Sequence, residues 1–290
     1  GGGTVTKVVA MAFVAALIVI ASVAGYHLIM RMQSVLTWLT GLATIIYVAH
    51  WASSKEERLR DLRTGLVPFI VMMALVCGLI AVQPSFSTAL LVGLVAGTMF
   101  FISGADIKQL VVVGAGVGAL AYTIARAGWR ISRFEAWRDP WGSSAEAGYQ
   151  TTHVLYALAR GGLFGEGLGT TSGPDFPMIP AVHNDLIMAA LGLEGGVVSS
   201  RIVLALFAFL SYRGFRIALN APDAFGTVLA SGITCWFLFQ ALLNFAVVTN
   251  TIPPTGVPMP FISFGGSGLV TALAGVGILL NISKSTARKA

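Results

Sequence analysis

The run Leu66–Val82, LVPFIVMMALVCGLIAV, carries no charge and no hydrogen-bonding side chain beyond one thiol. A bilayer's hydrocarbon is crossed by about 17–25 such residues coiled as a helix. Similar runs lie on both sides of it, at Val8–Met30, Val35–Trp51, Phe86–Ser103, Leu110–Ala127, Asp185–Tyr212, Phe225–Val247 and Gly266–Ile282. None shows the inside/outside alternation over ten residues that a barrel strand needs. The expected fold class is therefore all-α: a polytopic bundle of about eight transmembrane helices.

Composition agrees. Only 10% of the 290 residues are charged and 56% are hydrophobic, whereas a soluble domain carries about 25% charge. With so few charges a water-facing surface could not be covered, so lipid is the surrounding solvent. The 34 glycines and 11 prolines fit membrane helices, where both are tolerated. The net charge of +6 sits mostly in short connections and is not interleaved with stacking aromatics, which excludes nucleic acid as a partner. Cys77 and Cys235 fall inside apolar runs and read as buried thiols. Gly1-Gly2-Gly3 reads as a cut end and enters no argument.

Short basic connections fix orientation. Lys55, Arg58, Arg60 and Arg63 share one, Arg213 and Arg216 another, and Lys284, Arg288 and Lys289 close the chain. Eight helices put all three on the cytoplasmic side with the N-terminus. Residues 83–85, 128–184 and 249–264 then face outward. The whole chain, 1–290, is expected as one membrane domain, with 128–184 as a large extracytoplasmic loop. That loop is too long for a bare connection. It holds three tryptophans, four prolines, Gly-rich turns and a helical pattern at Thr151–Leu163, so it is expected to fold against the bundle, with that helix dipping into the outer leaflet.

Polar residues concentrate in the loop and at its exit. Asp185 stands where the chain re-enters the membrane. A carboxylate there either complements a helix N-terminus or serves as a general base held partly out of water. His183 is open to a capping or a substrate role. Arg130 and Arg133 share a helix face; they either snorkel to the interface or bind phosphate. Glu194 and Arg201, seven apart, lie within the helix that Asp185 opens and are expected as a structural pair or a coupling element. Gly114-Ala-Gly116-Val-Gly118 sits inside an apolar helix and serves packing. The glycines of Gly162–Gly169 follow no strand, so they bind no dinucleotide; they let backbone approach a ligand or the bundle. The Pro/Gly-dense segment Ile252–Gly268 cannot be helical throughout. It is either a rigid re-entrant turn or a cavity lining.

Three stretches together resemble a known family. They are Trp129–Pro140 (WRISRFEAWRDP) with Gly148-Tyr149-Gln150 and Gly161–Gly169; His183-Asn-Asp-Leu-Ile-Met-Ala189; and Asn244 onward through Pro254–Ser267 to the run Leu279–Ser283. Their order and spacing resemble the SEDS proteins (shape, elongation, division and sporulation), which include FtsW, RodA and SpoVE. The pattern is nearest to the FtsW branch. The resemblance implies a peptidoglycan glycosyltransferase of the bacterial cytoplasmic (inner) membrane, active on its outer face. Such an enzyme polymerises lipid II, the undecaprenyl-pyrophosphate-linked disaccharide peptide, beside a class B penicillin-binding protein. The family's essential aspartate falls on Asp185 and its loop arginines on Arg130 and Arg133. By the same resemblance, Tyr149, Gln150, His183, Asn244, Thr255, Ser263 and Ser267 are expected as substrate-binding residues. No metal site is specified, although a divalent cation (Mg²⁺ or Mn²⁺) is compatible with the chemistry.

The sequence also departs from the pattern. Family members usually have ten helices, so the resemblance implies that the first two are missing from this chain. Gln-Pro-Asp is Gln83-Pro84-Ser85 here, and Glu-Glu-Leu-Gly is Leu193-Glu194-Gly195-Gly196. Two rival functions follow: a flippase for a lipid-linked precursor, or a non-catalytic scaffold for a penicillin-binding protein.

Overall fold

The computed structural model describes residues 35–55, 59–82, 86–125, 131–142, 148–172 and 182–287. Regular structure among them is helical. Helix α1 is Val35–Ser53. A π-helical turn, Leu62–Leu66, runs into α2 (Val67–Val82), followed by α3 (Phe86–Ile102), α4 (Ile107–Ala125), the short α5 (Ile131–Arg138) and α6 (Tyr149–Gly161). Then come α7 (Ile187–Leu219), α8 (Ala224–Val248) and α9 (Gly266–Ala287). Five segments are long and apolar enough to cross a membrane: Val35–Ser53, Leu62–Ile80, Ile187–Leu219, Ala224–Val248 and Gly266–Thr286. Shorter apolar helices occupy Ser87–Ile102 and Ile107–Gly116. The expected span at 8–30 lies outside the described residues, as does Gln83–Ser85.

Helix α8 is the axis of the bundle. Two thirds of its spanning window is buried, against 17–39% for the other four, and it packs on α3, α7 and α9. Its side chains Ile233, Trp236 and Phe237 join Val48 and Ala49 of α1, Phe69 of α2 and Met99 and Phe100 of α3 in one core. Phe69 and Phe100 stack with centroids 4.3 Å apart. Elsewhere large apolar side chains point outward, among them Val71, Leu75 and Leu79 of α2 and Leu206 and Phe209 of α7. Lipid, not water, is the solvent such faces match. The start of α8 is set locally: the Asp223 carboxylate accepts from Gly226 N at 2.8 Å as N-cap, and Pro222 forbids α7 from running on.

One end of the bundle collects the basic connections. Gln109 Nε2 donates to Arg60 O (2.8 Å) and Arg60 Nε to Gly104 O (3.4 Å), joining the turn before α2 to the turn before α4. At the same end His50 meets Phe225, and the start of α8 lies beside Ile282 near the end of α9. Asp185 and the segment 252–265 lie at the opposite ends of α7, α8 and α9.

Helix α7 is broken at Gly196, whose φ of 65° and ψ of −164° are not helical. The backbone groups freed there are taken up by the Gly-rich turn after α6. Glu166 N donates to Leu193 O (2.9 Å) and Gly167 N to Glu194 O (3.1 Å), while Val197 N and Val198 N donate to Gly162 O and Leu163 O. In lipid each of these groups would otherwise go unsatisfied. The glycines of Gly162–Gly169 thus approach the bundle itself. Gly165 has φ +81°, and a Cβ there would collide with Glu194 O. Gly165→Ala should therefore destabilise the fold by roughly 2–4 kcal/mol, combining left-handed backbone strain with overpacking. Thermal unfolding of the detergent-solubilised protein checks this; Gly167→Ala, where added Cβ meets open space, is the milder comparison.

Candidate functional site

A cavity of about 420 Å³ opens between the entry to α7 and the Pro-rich segment that joins α8 to α9. Asp185, Ser263 and Ser267 line it, together with Asn184, Gly256, Trp38, Trp236 and Gln240. Asp185 is half-buried. Helix α7 begins at Ile187 with Leu186 in the N-cap position, so Asp185 stands one residue before the cap. Gly256 has φ +69°, and a Cβ added there would stand 3.6 Å from Asp185 Oδ2, so a bare backbone turn faces the carboxylate.

The main chain around Asp185 is tied on every residue. Phe264 N donates to His183 O at 2.8 Å, Ser263 Oγ donates to Asn184 O, and Asn244 Nδ2 donates to Asp185 O at 2.7 Å. Asn244 Nδ2 also donates to Val257 O at 3.2 Å. This changes the reading of Asn244. It is 1% exposed, does not line the cavity and joins two backbone segments. Thr255 does not line the cavity, and its Oγ1 is buried without a hydrogen-bond partner among the described residues.

Other expected site residues fall elsewhere. Tyr149 and Gln150 open α6 and do not line the cavity; the Tyr149 ring lies 3.9 Å from that of His153. The His183 side chain is exposed. Arg130 lies outside the described residues, and Arg133 sits in α5 with its side chain outside the description. Glu194 and Arg201 are not an ion pair. Gly196 breaks the helix between them, Glu194 Oε1 accepts from the Thr171 hydroxyl and backbone N, and Arg201 is exposed. The ion pair found among the described residues is Arg160–Glu166 at 2.8 Å, across the Gly-rich turn. Cys77 and Cys235 are free thiols.

Sequence reasoning missed Thr37, Trp38, Thr88, Trp236 and Gln240 as cavity residues. A signal existed for Gln240, which lies four residues before Asn244. Two amides on one face of an apolar helix mark an inward polar stripe. Among the described residues no three of His, Cys, Asp or Glu gather to hold a metal. A cation at Asp185 would find one carboxylate and would take its other ligands from substrate phosphate and water, as Mg²⁺ commonly does.

A multi-pass helical membrane protein with one carboxylate on a cavity at the end opposite its basic turns is the class this fold and site define. The family model described as "Cell cycle protein", FtsW/RodA/SpoVE, matches residues 38–288. The chain belongs to that family. It is 39% identical over 252 residues to the "Probable peptidoglycan glycosyltransferase FtsW" of Bacillus subtilis strain 168, covering 83% of this chain and 62% of the relative. It is 37% identical over 244 residues to "Stage V sporulation protein E" of the same strain, covering 84% and 66%. The chain thus spans less than two thirds of the length of these relatives. Two solved structures share the fold. One is a chain from "Structural coordination of polymerization and crosslinking by a peptidoglycan synthase complex", with TM-score 0.68, 24% identity and coverage of 86% and 70%. The other is the Thermus thermophilus rod shape determining protein RodA, with TM-score 0.55, 24% identity and coverage of 86% and 65%.

Glu194 offers a test of how the loop is held. Thr171→Val removes the hydroxyl bonded to its carboxylate and should cost about 1–3 kcal/mol, the penalty for leaving a sheltered polar group unmet. Thr171→Ser, which keeps the hydroxyl, should unfold within a few degrees of the parent in a thermal melt.

Proposed function

We propose that this chain is the membrane core of a peptidoglycan glycosyltransferase that polymerises lipid II, with Asp185 as general base. The observation that carries the reading is the half-buried Asp185 on the rim of the cavity, its carboxylate facing the bare backbone turn at Gly256. Family membership supports it, since the matched relative in Bacillus subtilis is itself named a probable peptidoglycan glycosyltransferase. The bundle end bearing Asp185 is taken to face outward in the bacterial cytoplasmic membrane, because the basic connections gather at the other end. Residues 128–184 then form the extracytoplasmic loop of a single domain.

The chemistry is a displacement at the sugar's anomeric carbon. The acceptor's C4 hydroxyl attacks C1 of the donor sugar, forming the new C–O bond as the bond from C1 to the pyrophosphate oxygen breaks. The hydroxyl proton passes to Asp185, and polyprenyl pyrophosphate leaves with the electron pair. A carboxylate sheltered from bulk water but within reach of a sugar hydroxyl suits proton acceptance. Arg130 and Arg133 are proposed to offset charge growing on the pyrophosphate. Ser267, on the cavity wall, is proposed to orient the substrate's polar groups. A class B penicillin-binding protein is the proposed partner, in keeping with the pairing of polymerization and crosslinking named for the structural relative.

The flippase reading needs a polar path through the bundle. Glu194 and Arg201 would have supplied one; Glu194 is instead bonded to Thr171 and Arg201 faces outward. Asp185→Ala and Asp185→Asn should each lower lipid II polymerisation by the purified protein by about 10²–10⁴-fold, the usual contribution of a general base, with thermal stability unchanged. Product at parental levels from either variant would refute the assignment.

A further inference from the structure

The residues that carry Asp185 form no regular structure. Residues 182–186 are turn, and α7 starts only at Ile187. A carboxylate on so short and irregular a lead-in would ordinarily sample several orientations. Here three consecutive carbonyls, of His183, Asn184 and Asp185, are each gripped by a different donor: Phe264 N, Ser263 Oγ and Asn244 Nδ2.

Each donor is itself fixed. Asn244 uses both amide hydrogens, one on Asp185 O and one on Val257 O. Turning the amide over would set Oδ1 against two carbonyl oxygens, so only one orientation is possible. The Ser263 hydroxyl accepts from Met259 N at 2.8 Å while donating to Asn184 O, and Ser263 N donates to Met259 O at 3.1 Å, closing the turn. Within that turn Phe261 sits at φ 65°, a conformation costly for an aromatic residue. Its ring is wedged edge-on against Phe237 of the core at 5.1 Å, which holds the strained turn in place.

We propose that Asn244 and Ser263 are positioning residues: by gripping the main chain of Asn184 and Asp185, they aim the Asp185 carboxylate into the cavity. This rests on the reading of Asp185 as general base. Neither side chain need touch substrate for the effect. Their action is on geometry, where an error of about 1 Å in a reacting group costs on the order of a hundredfold in rate.

The test compares Ser263→Ala, Ser263→Thr and Asp185→Ala in one lipid II polymerisation assay on the purified protein, with amide exchange measured in parallel. Ser263→Ala should lower kcat roughly tenfold to a hundredfold while KM stays within about twofold, and Ser263→Thr, which restores the hydroxyl, should recover most of the loss. Exchange should quicken at Ile187–Ala189, where Ala189 N bonds Leu186 O, and stay slow through α8. The proposal is overturned if kcat of Ser263→Ala is unchanged, if KM rises alone, if Thr rescues nothing, or if exchange quickens throughout the protein. An active Asp185→Ala would instead remove the underlying base assignment. An inactive Asp185→Ala beside a fully active Ser263→Ala would overturn the positioning role by itself.

Discussion

Backbone hydrogen bonding away from water governs this structure. In a bilayer every N–H and C=O must find a partner inside the protein, so a chain can leave the helix only where another segment meets its freed groups. Among the described residues two breaks show this, each answered by a second irregular segment. At Gly196 the break in α7 is filled by the turn Gly162–Gly167, which returns two donors and two acceptors. At 252–265 the Pro-rich stretch is met by Asn244 from α8 and by the carbonyls of His183 and Asn184.

These two repairs connect the loop, the cavity and the core. The turn after α6 is pinned to α7 below Asp185, and Thr171 at its far end reaches Glu194. The Pro-rich segment is pinned to the lead-in of α7, and Phe261 ties it to the core through Phe237. Asp185 therefore sits between two irregular segments, each tied by backbone hydrogen bonds to α7 or its lead-in. The cavity exists because proline and glycine prevent 252–265 from packing as a helix, leaving space between α1, α8 and α9 that Trp38, Trp236 and Gln240 line.

Much of the fold was legible in the sequence. Uncharged runs such as Leu66–Val82 and Phe225–Val247 map onto α2 and α8, and the pattern Thr151–Leu163 onto α6 at Tyr149–Gly161. Motif and Pro/Gly density singled out 183–185 and 254–267, and residues of both segments line the cavity. Less legible was which polar group does what. Asn244 was expected as a substrate contact by family resemblance alone; in the structure its amide bridges two backbone segments. Glu194 and Arg201 looked like neighbours because seven residues are two helical turns. A single positive-φ glycine between them cancels that spacing.

What the sequence determined by itself is the class: apolar length, scarce charge and basic short connections dictate a helical membrane bundle, since those properties depend on local composition alone. The tertiary structure decided that Asp185 lines a cavity, that the Gly-rich turn serves the break in α7, and that Asn244 and Ser263 hydrogen-bond the main chain of Asp185 and Asn184. Each of these depends on segments roughly 20 to 80 residues apart meeting within hydrogen-bond distance, and hydrogen bonds that short are set by packing, which no local pattern encodes.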